Sequence, residues 1–266
     1  MISSVSYQDA NLRYSDQGKG DPVVLIHGYL ESLEIWNGFA EKLARKYRVI
    51  SVDLPGHGES GIYSSMNTMA VMADSVKAVL DHLSIGRAVI VGHSMGGYVT
   101  LAMADIFPEM IVGFCLFHSH ALPDPEEKKL NRDREALLVK EGKKSQFINL
   151  NIPNAFASDH HDSFQKQIGW AKDIALKTAD KGITSALAGM KARPDRRDVV
   201  KNSVEPVMII AGKKDYYIPF SVYEEHFNLA YKSTVLILEN SGHMGFIEER
   251  EKSLEGVLKF LDQLYQ

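Results

Sequence analysis

One serine stands between glycines in Gly92-His93-Ser94-Met95-Gly96-Gly97, directly after the apolar run Ala88-Val89-Ile90-Val91. A serine in a tight turn between a strand and a helix presents its hydroxyl above the sheet, beside the unpaired N–H groups of the helix start. The hydroxyl alone is a poor nucleophile. It needs an adjacent base, and the base needs a third group to hold its tautomer. Two later apolar runs supply candidates: Asp215 follows Val207-Met208-Ile209-Ile210 and Gly212, and His243 follows Val235-Leu236-Ile237-Leu238 and Gly242. The order Ser94, Asp215, His243 is that of nucleophiles on a strand–turn–helix. Acyl transfer also needs donors for the developing oxyanion, and the backbone N–H groups of Tyr29 and Met95 are placed for it.

Other chemistry-bearing residues compete for these roles. Asp124 is the alternative acid and is read instead as the cap of a helix beginning Asp124-Pro125-Glu126-Glu127. His118 and His120 lie on one side of an extended segment, as a metal pair would, but no third ligand accompanies them at a convincing spacing. His118 is assigned to the substrate pocket with Phe147, Trp170 and Met244, although Phe147 and Trp170 also suit helix packing. No metal or cofactor is required by this chemistry. His27, His57 and His93 read as hydrogen-bonding residues that shape their loops. Asp159-His160-His161-Asp162, Lys128-Lys129 and the mixed-sign stretch 193–198 read as solvated surface.

These residues need a scaffold that brings distant loops together. Short strands are expected at 3–8 and 11–16, and continuous apolar runs follow at 23–26, 49–52, 88–91 and 111–117. Helices are expected over 36–47, 68–83 and 98–107. Strands alternating with helices call for a mostly parallel, doubly wound α/β sheet with helices on both faces, whose strand ends share one edge. The loops beginning at His27, Asp53, Ser94 and His118 meet there. From residue 122 to 197 no clean strand occurs, and helical patterns fall at 126–141, 160–179 and 182–191. The chain therefore divides into a first core part (1–121), an inserted helical cap (122–197) and a second core part (198–266), which closes with a helix burying Leu254, Val257, Leu258 and Leu261.

The 266 residues, 45% hydrophobic and 24% charged with a net charge of −4, suit an ordinary globular chain and offer no basic footprint for nucleic acid or anionic membranes. Cys115, the only cysteine, excludes an internal disulfide. The polar N-terminus has no secretory pattern, so a cytoplasmic monomer or homodimer is expected.

The motifs His27-Gly28-Tyr29, Asp53-x-x-Gly56-His57-Gly58-x-Ser60, Gly92-His93-Ser94-Met95-Gly96-Gly97, Gly212-x-x-Asp215 and Gly242-His243 occur in one order. In that order they resemble the α/β-hydrolase superfamily across nearly the whole chain outside the cap. They are similar to those of small capped esterases, enol-lactonases and cofactor-free perhydrolases, and Ser94 argues against a dehalogenase or epoxide hydrolase. The resemblance implies a serine hydrolase acting on a small ester. Enol-lactone or carbon–carbon hydrolysis, perhydrolysis and a non-enzymatic small-ligand receptor on the same fold are the alternatives.

Overall fold

The computed structural model describes residues 1–230 and 233–266. Eight strands, β1 (Ile2–Tyr7), β2 (Ala10–Gln17), β3 (Pro22–Ile26), β4 (Arg48–Val52), β5 (Ala88–His93), β6 (Ile111–Phe117), β7 (Val207–Gly212) and β8 (Ser233–Leu238), form one sheet in the order β1-β2-β4-β3-β5-β6-β7-β8. β1 and β2 pair antiparallel at one edge, β2 pairs antiparallel with β4, and every other pairing is parallel. The chain runs from β3 outward to β4 and then returns to β5 on the other side of β3. That reversal opens a crevice beyond the C-terminal ends of β3 and β5, where doubly wound sheets bind ligands. The loops carrying Tyr29 and Ser94 begin there.

Alternate residues of the apolar strands feed opposite faces of the sheet. Val24 and Ile26 pack with the helices α2 (Met69–His82) and α3 (Met95–Ile106), whereas Val23 and Leu25 pack with α1 (Phe39–Leu43) and the C-terminal helix. Both faces are covered, which is why every residue of β5 and β7 is buried. The helix expected over 36–47 is shorter than its pattern. A single 3₁₀ turn, Leu33–Trp36, precedes α1, and Gly38 separates the two.

Between β6 and β7 the chain forms α4 (Glu126–Lys140), α5 (Lys144–Asn151), α6 (Gln165–Lys177), α7 (Asp180–Lys191) and α8 (Arg197–Lys201). The sequence pattern omits α5, whose eight residues span barely two turns and show only Phe147 and Ile148 buried. α7 packs against α4 and also lies directly on the core. A side chain at Gly189 would collide with the Asn67 backbone, and Asn67 donates to Ser185 Oγ at 3.0 Å. The helical insertion is thus fastened to the loop before α2. After β7 come α9 (Phe220–Phe227), α10 (Gly245–Glu248) and α11 (Arg250–Leu264). Among the described residues no helix is long and apolar enough to cross a membrane.

Candidate active site

Ser94 follows β5 and precedes the first turn of α3, with φ 49° and ψ −114°. A non-glycine residue rarely adopts that conformation, which costs on the order of 1–3 kcal/mol and persists only where its surroundings enforce it. The enforcement is local. Ser94 N–H donates to Phe117 O at 3.0 Å, and Ser94 O accepts from Gly97 N–H at 2.9 Å and Ser119 Oγ–H at 2.8 Å. Gly96 lets the helix start lie against the carbonyls of Ile26 and His27, where any Cβ would clash. Ser94 remains partly accessible among buried neighbours and faces a cavity of about 400 Å³.

Asp215 lies in the loop after β7 with its carboxylate fully buried. Oδ1 accepts from the N–H groups of Tyr217 (2.9 Å) and Ile218 (3.1 Å), and Oδ2 accepts from Tyr223 O–H (2.6 Å) and His243 Nδ1–H (2.7 Å). Burial pushes this carboxyl upward, but the His243 imidazole and its hydrogen bond outweigh that effect and hold it at about 2. With the proton fixed on Nδ1, His243 keeps a free lone pair on Nε2, and the ring borders the same cavity as Ser94. The His243 backbone is tied down on both sides: its N–H donates to Ala155 O at 2.7 Å, and its carbonyl accepts from His93 Nε2–H at 2.9 Å.

His93 also meets the Glu31 carboxylate through Nδ1 at 3.0 Å. Both ring nitrogens therefore face acceptors, which calls for the doubly protonated ring. Burial favours the neutral ring, but the Glu31 charge overrides it and raises the His93 pKa, while His93 lowers that of Glu31 against the same burial. Stability from His93 is complete below its unfolded value of 6.5 and lost as pH rises through the raised one. That from Glu31 is complete above 4.5 and lost as pH falls through the lowered one. Glu31→Gln should cost about 1–3 kcal/mol near pH 6 and progressively less toward alkaline pH. Thermal melts of both proteins across pH 5–9 check this, and a pH-independent difference would refute the charged pair.

Glu31 has a second effect. Its carboxylate takes the Gly28 N–H at 2.5 Å. Among the described residues the N–H groups of Tyr29 and Met95 have no acceptor.

Phe147 and Met244 border the cavity, whereas His118 and Trp170 do not. His118 takes φ 46°, which turns its ring beneath Asp215, and it is fully buried. His118 Nε2 accepts from Gly245 N–H at 3.1 Å, so Nδ1 carries the proton and points at Asp215 Oδ2 from 3.7 Å. Burial keeps this imidazole far below its usual pKa, hence neutral. Trp170 packs against the α1–α11 side of the core, and its neighbour Ala171 faces the cavity instead, since successive helical residues point in different directions. His120 and His118 do not form a pair. His120 lines the cavity and contacts Tyr98 O–H at 3.2 Å. Among the described residues, one group has metal-ligand spacing, His118, Asp215 and His243; His243 Nδ1 is bonded to Asp215, and His118 Nδ1 is buried without a hydrogen-bond partner.

Asp124 is not the helix cap. Pro125 occupies that position, and the Asp124 carboxylate pairs with Arg132 and, at 2.7 Å, with Arg193. Lys128 is half-buried and Arg193 buried, and both border the cavity, contrary to the solvated reading. The overlooked signal is the four-residue spacing of Lys128 and Arg132, which places both on one face of α4.

Comparison with known proteins agrees with this fold. A family model described as alpha/beta hydrolase fold matches residues 21–141. A thermophilic esterase from Thermogutta terrifontis superposes with a TM-score of 0.95 over 100% of both chains at 27% identity. The enol-lactonase of Burkholderia xenovorans LB400 superposes with a TM-score of 0.91 over 98% of this chain and 100% of its own; its 22% identity speaks for the fold alone. Residues covering 91% of this chain are 30% identical to the dihydrolipoyllysine-residue acetyltransferase component of the acetoin cleaving system of Pseudomonas putida, and the chain spans 64% of that relative's length.

Proposed function

We propose that this chain, which belongs to the α/β-hydrolase superfamily, is a serine hydrolase that cleaves a small carboxylic ester through an acyl-serine. The observation that carries this reading is the Asp215–His243 hydrogen bond of 2.7 Å, which leaves His243 Nε2 basic beside the cavity that Ser94 enters. Ser94 Oγ attacks the ester carbonyl while His243 Nε2 takes its proton. The oxyanion is held by the Tyr29 and Met95 N–H groups, aided by the N-terminal end of the α3 dipole. His243 then protonates the departing alkoxide, and the C–O bond breaks to leave the acyl group on Ser94. Water enters, gives a proton to His243 and attacks the acyl carbon. Ser94 regains the proton as the acid leaves. Asp215 remains ionised throughout and stabilises the imidazolium.

A lactone would follow the same path with the alcohol still tethered to the acyl group. Hydrolysis of p-nitrophenyl esters from acetate to decanoate tests the proposal. The expected result is many turnovers per site with an optimum at short chains, given the cavity of about 400 Å³. A single stoichiometric burst followed by a stall would replace catalysis with the receptor reading.

A further inference from the structure

The cavity wall formed by the insertion is more polar than an ester alone requires. Two buried guanidiniums, Arg132 and Arg193, share the single carboxylate of Asp124, and Lys128 stands one turn before Arg132 on α4. Among the described residues Lys128 forms no ion pair; its ammonium lies 5.9 Å from the Tyr217 ring centre. Glu135 also borders the cavity without an ion-pair partner; burial raises its pKa and lowers that of Lys128 alike, and by formal charge the three cations Lys128, Arg132 and Arg193 face the two carboxylates of Asp124 and Glu135. The wall therefore carries an excess of positive charge. His120 adds none, because burial and the Arg193 charge push its imidazole down to about 3.

A second observation points to the same place. The Tyr29 hydroxyl is buried without a hydrogen-bond partner, and it lies within the influence of the Arg132 and Glu135 charges. A buried hydroxyl without a partner costs about 1–3 kcal/mol, and this one belongs to a residue that borders the cavity, so an acceptor carried by a bound ligand would be stabilised there. The same residue offers its backbone N–H to the oxyanion. One tyrosine side chain thus separates the reacting carbonyl from the cationic wall.

We propose that Lys128, Arg132 and the Tyr29 hydroxyl form a subsite for a carboxylate of the substrate, so that the ester cleaved is a half-ester of a short dicarboxylic acid. This rests on the serine-hydrolase reading of Ser94. The carboxylate balances the excess charge, accepts from the unpaired hydroxyl and fixes the distance between anion and scissile carbonyl. Lys128 is the specificity residue most open to test, since Arg132 also anchors Asp124.

The experiment compares p-nitrophenyl hemisuccinate, hemiglutarate and hemiadipate with neutral esters of matched length, after subtraction of the rates of Ser94→Ala. The wild-type protein should favour one half-ester by about tenfold or more in kcat/KM, mainly through KM, and the preference should shrink with added salt. Lys128→Met should bring the ratio close to one, and Lys128→Arg should recover part of it. Equal or better hydrolysis of the neutral esters by the wild type, with turnover dependent on Ser94, overturns the subsite and leaves the hydrolase reading standing. Turnover that survives Ser94→Ala removes the hydrolase reading instead. Calorimetric titration with glutarate then decides the subsite separately: saturable binding weakened by Lys128→Met supports it, and no binding to the wild type overturns it.

Discussion

Ser94→Ala should lower kcat/KM on the best p-nitrophenyl ester by about 10⁴- to 10⁶-fold while the fold and the binding of product acids persist. The loss is this large because the proposed mechanism has Ser94 alone form the acyl intermediate. What remains is the oxyanion donors acting on water. The backbone around residue 94 does not depend on the hydroxyl: its N–H and carbonyl are held by Phe117, Gly97 and Ser119. Alanine tolerates φ 49° no better than serine, so its melting temperature should match the wild type. Glycine at this position separates function from strain. It removes about 1–3 kcal/mol of backbone strain against about 0.5–1 kcal/mol of added unfolded-state entropy. Ser94→Gly should therefore be as inactive as Ser94→Ala and more stable by about 1 kcal/mol. Paired melts and single-turnover assays check both statements. A glycine variant less stable than the wild type would show that the turn is relaxed, and residual turnover near wild type would move the nucleophile elsewhere.

The loops at the sheet edge were legible because each chemical residue follows an apolar run long enough to be a buried strand. Ile26, Val91, Ile210 and Leu238 end such runs, and Tyr29, Ser94, Asp215 and His243 lie a few residues beyond them. Parallel strand pairing then brings residues far apart in sequence to one edge. Orientation within a loop is a different matter. His118 occupies an equivalent place after β6, yet its left-handed backbone turns the ring under Asp215 rather than into the cavity. No residue type announces that. The insertion was harder still. Lys128 and Arg193 belong to charged stretches whose composition looks solvated. Only the packing of α4 on α7 shows that both border the cavity, where they share a wall with Asp124. Amphipathic spacing identifies a helix and its apolar stripe, but it does not say what a polar stripe faces.

Asp215→Asn should reduce kcat about 10⁴-fold with little change in KM. The substitution preserves shape. The amide oxygen can replace Oδ1 and keep the N–H donors of Tyr217 and Ile218, now at 2.9 and 3.1 Å, while the amide NH₂ replaces Oδ2. Tyr223 can rotate its hydroxyl to accept from that NH₂. His243 has no such freedom without a change of tautomer: Nδ1 must now accept, so the proton moves to Nε2 and the ring loses the lone pair that would take the Ser94 proton. Asp215→Ala would instead leave several buried donors unpaired and confuse catalysis with unfolding, which makes asparagine the informative variant. Acid stability supplies an independent readout. The Asp215 carboxyl sits at about 2 in the fold against 3.8 in the unfolded chain, so its contribution, about 2 kcal/mol, is present above pH 3.8 and lost as pH falls through about 2. Asparagine removes that dependence. Between about pH 4 and 2 the wild type should lose stability more steeply than the variant, so that the two converge in strong acid. Parallel slopes would mean that Asp215 is not held ionised by His243, and the mechanism would lose the group that orients its base.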